Sequence, residues 1–146
     1  MDVIRRFEEP DLRQPIAIIA FGGWNDACDV ASTAADFIID AHPDRTVIAE
    51  IEPDPFYDFQ QHRPHIDIRD GVARSVSWPR LQFTALSRPG DSRDIVMVSG
   101  PEPNFQWKTF SRNIVDVLVA IGVEEVLLVG AYVGAVSHTT PVVLSG

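Results

Sequence analysis

Glu102 and His138 are the two side chains of this sequence best suited to acid–base chemistry. Glu102 lies between two prolines in GPEPNFQWKTF (residues 100–110), and His138 is followed by two threonines. A carboxyl group and an imidazole can serve as general acid and base when both reach one reactant. Glu102 suits a solvated turn equally well, and His138 suits a loop in which its ring bonds to backbone. The sequence therefore supports a catalytic pair and a structural turn as alternatives.

Amides, aromatic rings and a second carboxyl group lie in the same loops. Six of these residues are candidates for ligand binding: Trp24, Asn25, Asp26, Asn104, Trp107 and Thr139. These residues also have simpler possible roles. Asp26 and Asn104 precede helical patterns, where such side chains cap the first turn. The two tryptophans could instead pack within the fold. Gly22-Gly23 is suited to an anion at a helix start, but the segment lacks the further residues of a phosphate-binding loop or dinucleotide fingerprint.

Metal, thiol and serine chemistry have weak support. His62 and His65 occur together in HRPH, but a metal site needs further clustered ligands. Cys28 is the only cysteine, which excludes an internal disulfide, and its apolar neighbours Ala27 and Ala31 indicate a small core residue. The nucleophile motif G-x-S-x-G does not occur. We expect no metal and no cofactor.

Four apolar runs predict the strands that must position these residues: 16–21, 46–51, 95–99 and 126–129. Apolar residues at helical spacing predict a helix containing Ala27, Val30, Ala31, Ala34, Phe37 and Ile38, and a second helix over 104–121 with Gly122 after its end. Residues 72–78 and 81–86 read as a hairpin around Pro79. Residues 52–70 read as a long irregular excursion.

This order of elements predicts an α/β fold: one mainly parallel sheet with helices on both faces. In such sheets, ligands bind outside the carboxyl ends of the strands. The loops FGGWNDA, GPEPNFQW and GAYVGAVSHTT all leave those ends. We therefore expect Trp24, Asp26, Glu102 and His138 to surround one shared crevice.

Composition narrows the class of protein. The 146 residues suit one domain, and the net charge is −9, all of it within residues 1–73. An acidic surface repels phosphate backbones, so we expect no nucleic-acid partner. No apolar run is long enough for a membrane helix, and the charged start lacks a signal-peptide core. We expect a cytoplasmic protein without a membrane partner.

Several motifs together resemble one family. GWNDA (23–27), YDFQQHRP (57–64), DG (70–71), WP (78–79), GPEPNFQWKTF (100–110) and HTTP (138–141) occur in the order found in the proteasome assembly chaperone 2 family. The chain looks most like the bacterial, actinobacterial-type branch. It departs from that branch at Cys28, where glycine is more common, and at Thr140, where arginine is more common.

The resemblance implies a three-layer αβα fold of the phosphorylase/hydrolase-like type, without the catalytic residues of nucleoside phosphorylases. It also implies self-association and, as in archaeal and eukaryotic relatives, a role in assembling proteasome rings. Family members are much longer, so residues 1–146 are expected to form a single α/β domain that matches the N-terminal part. The last residues, Leu144-Ser145-Gly146, lack the tyrosine that archaeal relatives use to dock into proteasome pockets.

Two functions follow as hypotheses. The first is a non-enzymatic, assembly-chaperone-like domain that binds itself and protein partners, proteasome subunits among them. The alternative is an enzyme or small-ligand-binding protein with its site at the strand carboxyl ends. No helix is predicted after the last strand, which should leave apolar surface exposed. We therefore expect a dimer or larger, with contacts at the uncovered sheet face or at residues 52–70.

Overall fold

In this computed structural model, residues 3–7 and 11–146 are described. They form eight strands and two helices in these two ranges. The strands are β1 Ile4–Arg6, β2 Ile16–Gly22, β3 Arg45–Ile51, β4 His65–Arg69, β5 Val72–Ser77, β6 Leu81–Leu86, β7 Ile95–Pro101 and β8 Glu125–Val129. The helices are α1 Val30–Ala41, which follows a short 3-10 turn at Ala27–Asp29, and α2 Trp107–Ala120.

Six strands form one mixed sheet in the order β1-β3-β6-β7-β2-β8. Strand β2, which lies next to the β8 edge, pairs in parallel with β7 and β8, whereas β6 is antiparallel to both β3 and β7. The four strands predicted from apolar runs all lie in this sheet and run in the same direction. The sheet as a whole is not mainly parallel, however, because β6 is inserted antiparallel between β3 and β7, and β1 adds a further antiparallel edge.

The hairpin predicted around Pro79 does not form. β5 pairs instead with β4 in a separate two-stranded sheet, and β6 joins the main sheet. The difference follows from the side chains: Leu81, Phe83, Thr84, Ala85 and Leu86 are all buried, so β6 has apolar neighbours on both faces. Such a strand belongs in the middle of a covered sheet.

The two helices cover opposite faces of the sheet. On β2, Ala17 and Ile19 belong to the core that includes α2, whereas Ile18 and Ala20 belong to the core that includes α1. Successive side chains of a strand point to opposite faces. The molecule therefore has three layers, α–β–α.

Helix α1 buries a narrower face than its sequence predicts. Ala31 and Ala35 are buried, but Val30 and Phe37 of the predicted apolar stripe are 57% and 74% exposed. The helix is entered through two residues with left-handed backbone, Cys28 (φ 56°) and Asp29 (φ 55°). Ala31 and Ala35 thus lie against the sheet with Ile38 and Ile39 partly buried beside them, whereas Val30 and Phe37 face outward. Cys28 is also exposed, so its prediction as a core residue is wrong.

Helix α2 follows its prediction closely. Phe110, Ile114, Val117 and Leu118 are buried, and the chain leaves the helix through Gly122 at φ 78°. Positive φ after a helix end is favoured at glycine. The helix begins at Trp107 rather than at the predicted residue 104.

An irregular segment was predicted over residues 52–70. In the structure only residues 52–64 are irregular, and the following residues form β4. Phe56 and Tyr57 are buried in the α2 core, where both rings pack edge-on against Phe110. At the base of the β4–β5 hairpin, Phe59 and Trp78 are in ring contact with centroids 4.8 Å apart. The hairpin extends from this anchor.

Asp94 ties together the starts of β2 and β7. It is 1% exposed, and its carboxylate accepts hydrogen bonds from the Arg13 backbone N–H at 2.8 Å, the Arg13 guanidinium at 2.9 Å and the Arg88 N–H at 2.9 Å. The hydrogen bond from the Arg13 side chain is the main reason that the pKa of Asp94 falls to about 2. The carboxylate therefore stays charged while buried.

Strand β8 and the segment after it leave apolar side chains exposed. Val126, Leu127, Leu128 and Val129 are each at least 41% exposed. The exposed apolar surface predicted beside the last strand is thus present. Within the described ranges, neither helix has the length and apolar character needed to cross a membrane.

Candidate functional site

The loops that leave β2, β7 and β8 meet at one end of the sheet, which we call the rim. The Glu102 N–H donates to the Gly22 carbonyl at 2.9 Å and joins the first two loops. Ala131, just after β8, donates to the Asn25 carbonyl at 2.9 Å and accepts from the Ala27 N–H at 3.0 Å. These backbone bonds hold the three loops together.

The Glu102 carboxylate, on the loop after β7, stabilises the rim by bonding to the loop after β2. Its Oε1 accepts a hydrogen bond from the Trp24 N–H at 2.5 Å. Hydrogen bonds of a carboxylate to backbone N–H groups are among the stronger ones. Gly23 has φ +151°, and a Cβ there would collide with the Glu102 carboxyl group. Glycine at this position is therefore what lets the carboxylate approach.

Asp26 acts as a helix cap, one of the two roles predicted for it. It is 4% exposed, and its carboxylate accepts from the Ala31 N–H at 2.6 Å and from the Ser32 hydroxyl at 2.5 Å. It thus reaches past the 3-10 turn to the first turn of α1. Negative charge is stabilised at a helix N-terminus.

Asn104 does not cap α2, so its prediction as a cap is wrong. Its Oδ1 accepts from the Asp58 N–H at 2.8 Å, and its Nδ2 donates to Gln61 Oε1 at 3.2 Å. Gln106, two positions later, has left-handed backbone and is the residue that immediately precedes the helix. Asn104 therefore links the rim to residues 52–64 and not to α2.

Tyr57 provides a second link between these segments. Its hydroxyl donates to the Pro101 carbonyl at 2.8 Å, and burial raises its pKa well above the ordinary value. The phenol therefore remains protonated at neutral pH and keeps its role as donor.

Aromatic side chains cover the outside of the rim. Trp24 is 91% exposed, and Phe105 and Trp107 are about half exposed. Tryptophan side chains are enriched at protein–protein interfaces. Phe105 was not among the predicted site residues; its signal was its position in GPEPNFQWKTF, beside the predicted Asn104 and Trp107.

His138 and Thr139 lie in the exposed chain after β8. The Thr139 hydroxyl is 2.7 Å from the Ser137 hydroxyl, and the Thr140 hydroxyl donates to the Ser137 carbonyl at 2.7 Å. Among the described residues, no hydrogen bond joins His138 to Glu102, whose carboxylate already accepts from Trp24. An acid–base pair of Glu102 and His138 therefore stays a prediction.

His62 and His65, which were considered as metal ligands, lie in different parts of the fold. His62 packs edge-on against Tyr57, with ring centroids 5.7 Å apart, and His65 begins β4. In the part of the chain that the structure describes, no three His, Cys, Asp or Glu side chains cluster as metal ligands do.

The family profile described as the PAC2 family matches residues 20–146, which include every rim loop. The chain belongs to the PAC2 family. No curated protein is significantly similar to it. The match to this family confirms the resemblance drawn from the six motifs.

Solved structures resemble this PAC2 chain over most of its length. A proteasome-assembly chaperone homologue of Mycobacterium tuberculosis is 36% identical, with a TM-score of 0.80 over 86% of this chain and 53% of its own. A PAC2 family protein of Streptomyces avermitilis is 34% identical, with a TM-score of 0.79 over 87% and 54%. A protein of unknown function from Corynebacterium glutamicum is 28% identical, with a TM-score of 0.84 over 95% and 53%. The PAC2 chain thus spans about half the length of these relatives.

Proposed function

We propose that this chain is a chaperone-like, non-enzymatic protein-binding domain that contacts its partner through the aromatic rim. The exposed aromatic side chains of the rim support this best, because aromatic residues, tryptophan above all, are enriched among the residues that dominate protein–protein binding. PAC2 membership supports a chaperone-like role, as does a relative named as a proteasome-assembly chaperone homologue. We propose proteasome subunits, other proteins and further copies of the chain as partners, in the bacterial cytoplasm.

The rim has the composition of a protein-binding surface. Its polar groups are used internally: Glu102 holds Trp24, Asp26 caps α1, and Asn104 holds Asp58. What remains toward solvent is mainly aromatic, and aromatic residues anchored in a rigid frame are typical of binding hot spots. The frame is rigid because the three loops share backbone hydrogen bonds.

We also propose that the fold is of the phosphorylase/hydrolase-like type. Three layers with loops gathered at one end of the sheet are consistent with the phosphorylase/hydrolase-like arrangement implied by the family resemblance. In this proposal the end of the sheet that carries ligands in many α/β proteins serves instead as a contact surface.

Binding of the purified chain to unassembled proteasome α and β subunits tests the proposal. Native gels and size-exclusion chromatography should show a complex, and Trp24→Ala should raise its Kd at least about tenfold, as expected of a central aromatic contact. Val115→Ala, which truncates an exposed apolar side chain on α2 outside the rim, is the control. Absence of any complex with either subunit would refute the proteasome role.

An activity screen addresses the alternative. Phosphorolysis or hydrolysis of nucleosides by the wild-type chain, abolished in Glu102→Gln, would show that the domain is an enzyme. We expect no turnover in either protein, and an unfolding midpoint for Glu102→Gln close to that of the wild type, because a glutamine oxygen also accepts a hydrogen bond.

A further inference from the structure

Trp24 presents its indole to solvent from a backbone that is held on both sides. The Trp24 N–H donates to the Glu102 carboxylate at 2.5 Å, and the carbonyl of the next residue, Asn25, accepts from the Ala131 N–H at 2.9 Å. The side chain itself is 91% exposed. A loop that is already rigid loses less conformational entropy on binding than a flexible loop does. The indole is therefore positioned for a contact outside the chain.

The indole of Trp24 has no aromatic or cationic neighbour of its own. Phe59 contacts Trp78, and Arg5 lies 5.1 Å from the ring centroid of Phe7. Among the side chains that the structure describes, neither a ring nor a cation lies over Trp24 in this way. The face of an aromatic ring attracts cations, and tryptophan does so more strongly than tyrosine or phenylalanine. The exposed indole can therefore accept a cation from a partner.

The surroundings of Trp24 are acidic. Three acidic residues and no lysine or arginine occur in the rim loops, which are residues 23–29, 102–106 and 130–146. The adjoining segment 52–64 adds three acidic residues and Arg63, and Lys108 lies in the first turn of α2. Arg80, near the same end of the sheet, is paired with Glu50 at 3.0 Å, and the β4–β5 hairpin is neutral, with two arginines and two aspartates. The end of the sheet that carries Trp24 is therefore net negative, and a basic surface complements it.

From the free indole and this charge we infer that the rim binds a basic face of a protein partner and that an arginine of the partner stacks on Trp24. The inference rests on the proposed function, because it names the chemistry of the partner that the rim contacts. Arginine suits this contact better than lysine, since its planar guanidinium group stacks on an aromatic ring. The Glu102 carboxylate, which is bonded to the Trp24 backbone, adds negative charge on the same loop.

Two matched peptides test for recognition of a cation. The probe is an arginine–glycine peptide, and its control is the same peptide with citrulline in place of arginine, which keeps the planar end group without the charge. Isothermal titration calorimetry with the full chain should show binding of the arginine peptide, with a Kd that rises as salt is added. The citrulline peptide should bind at least about threefold more weakly, because it lacks the cation.

Fluorinated tryptophans introduced at position 24 test the stacking itself. Each added fluorine withdraws negative charge from the face of the ring and changes its size little. The Kd for the arginine peptide should therefore rise stepwise with the number of fluorines, to about two- to fivefold in total, as expected from an exposed cation–π contact. The same analogues at Trp78, which packs on Phe59 outside the rim loops, should leave the Kd unchanged.

Asp29→Asn tests the contribution of the acidic surroundings. Asp29 is exposed and has left-handed backbone, which asparagine also tolerates, so the fold should be unchanged. Loss of this charge should raise the Kd for the arginine peptide about twofold at low salt, and high salt should remove the difference. Asp116→Asn, at an exposed site on α2, is the control and should bind the peptide like the wild type.

Three results would overturn the inference: binding of neither peptide, equal binding of both, or a Kd for the arginine peptide that does not respond to fluorine at position 24. Each of them leaves the proposed function intact if proteasome subunits still bind the chain through Trp24, because an apolar pocket would then hold the indole. Conversely, a chain that binds neither proteasome subunit but follows the fluorine series with the arginine peptide would refute the proteasome role and keep the inference.

Discussion

At the scale of single residues, the rim depends on a close approach between Gly23 and Glu102. The sequence shows Gly22 and Gly23 as an undifferentiated pair, but the structure separates them. Only Gly23 has positive φ and faces the Glu102 carboxyl group, whereas a Cβ at Gly22 would meet nothing within 4 Å. The two glycines therefore form a matched pair for experiment.

Gly23→Ala should destabilise the protein by about 1–3 kcal/mol, the usual cost of a non-glycine residue in a sparsely populated backbone region. It should also push the Glu102 carboxylate away from the Trp24 N–H. Gly22→Ala should change the free energy of unfolding by much less. Urea denaturation of the two variants is the measurement, and equal stability losses would contradict the special role of Gly23.

At the scale of elements, Asp94 and Arg13 hold the starts of β7 and β2 together at the end of the sheet opposite the rim. Asp94 is buried with its pKa lowered to about 2, whereas an aspartate in an unfolded chain titrates near 4. The ion pair therefore contributes its full stability at neutral pH. That contribution is lost as the pH falls from about 4 to about 2.

Asp94→Asn should cost about 2 kcal/mol at pH 7, from the shift in pKa. The difference from the wild type should shrink as the pH is lowered from about 4 to about 2, because the wild-type carboxylate becomes protonated there. Urea unfolding at a series of pH values measures this. The control is Asp91→Asn, which removes an exposed ion pair with Arg88 and should have little effect. A constant difference across the pH range would argue against the proposed role of Asp94.

The sequence predicts elements better than it predicts how they pair. The four apolar strands and the buried face of α2 were correct because their side-chain periods are local. The position of β6 was not predictable in this way, since strand pairing joins residues far apart in the sequence, such as Glu50 in β3 and Gln82 in β6. The exposed face of α1 was missed because the helix packs through Ala31, Ala35, Ile38 and Ile39, and the apolar spacing alone does not distinguish this face from the one that includes Val30 and Phe37.

The rim was predictable as a location but not in its chemistry. Loops after parallel strands had to meet at one end, and their polar residues were evident. Which hydrogen bonds these polar side chains form depends on differences of a few tenths of an ångström in atomic position. The spacing of residues along the sequence does not specify such differences. Thus Asn104 was interpreted as a cap although it binds residues 58 and 61, and Phe105 was overlooked.

At the scale of the whole molecule, the described residues expose apolar side chains at several places, among them the rim, the β4–β5 hairpin, α1 and the β8 edge. The rim serves partner binding in our proposal, and the exposed β8 edge is available for the proposed self-association. Variants at Trp24 and at Leu128, an exposed residue of β8, should therefore separate the two properties. Loss of both in either single variant would indicate one shared surface.

The order of strands also has a consequence for synthesis on the ribosome. β2 is made early, but its partners β7 and β8 come late; Arg13 and Asp94, which close this pairing, are 81 positions apart. At about 5–20 residues per second, the apolar strand β2 waits roughly 4–16 s for β7 to be made. Nascent chains stalled before β7 emerges should remain sensitive to protease, and those stalled after β8 emerges should resist it. Until then β2 is a substrate for general chaperones, so this chaperone-like domain should itself depend on them while it is being translated.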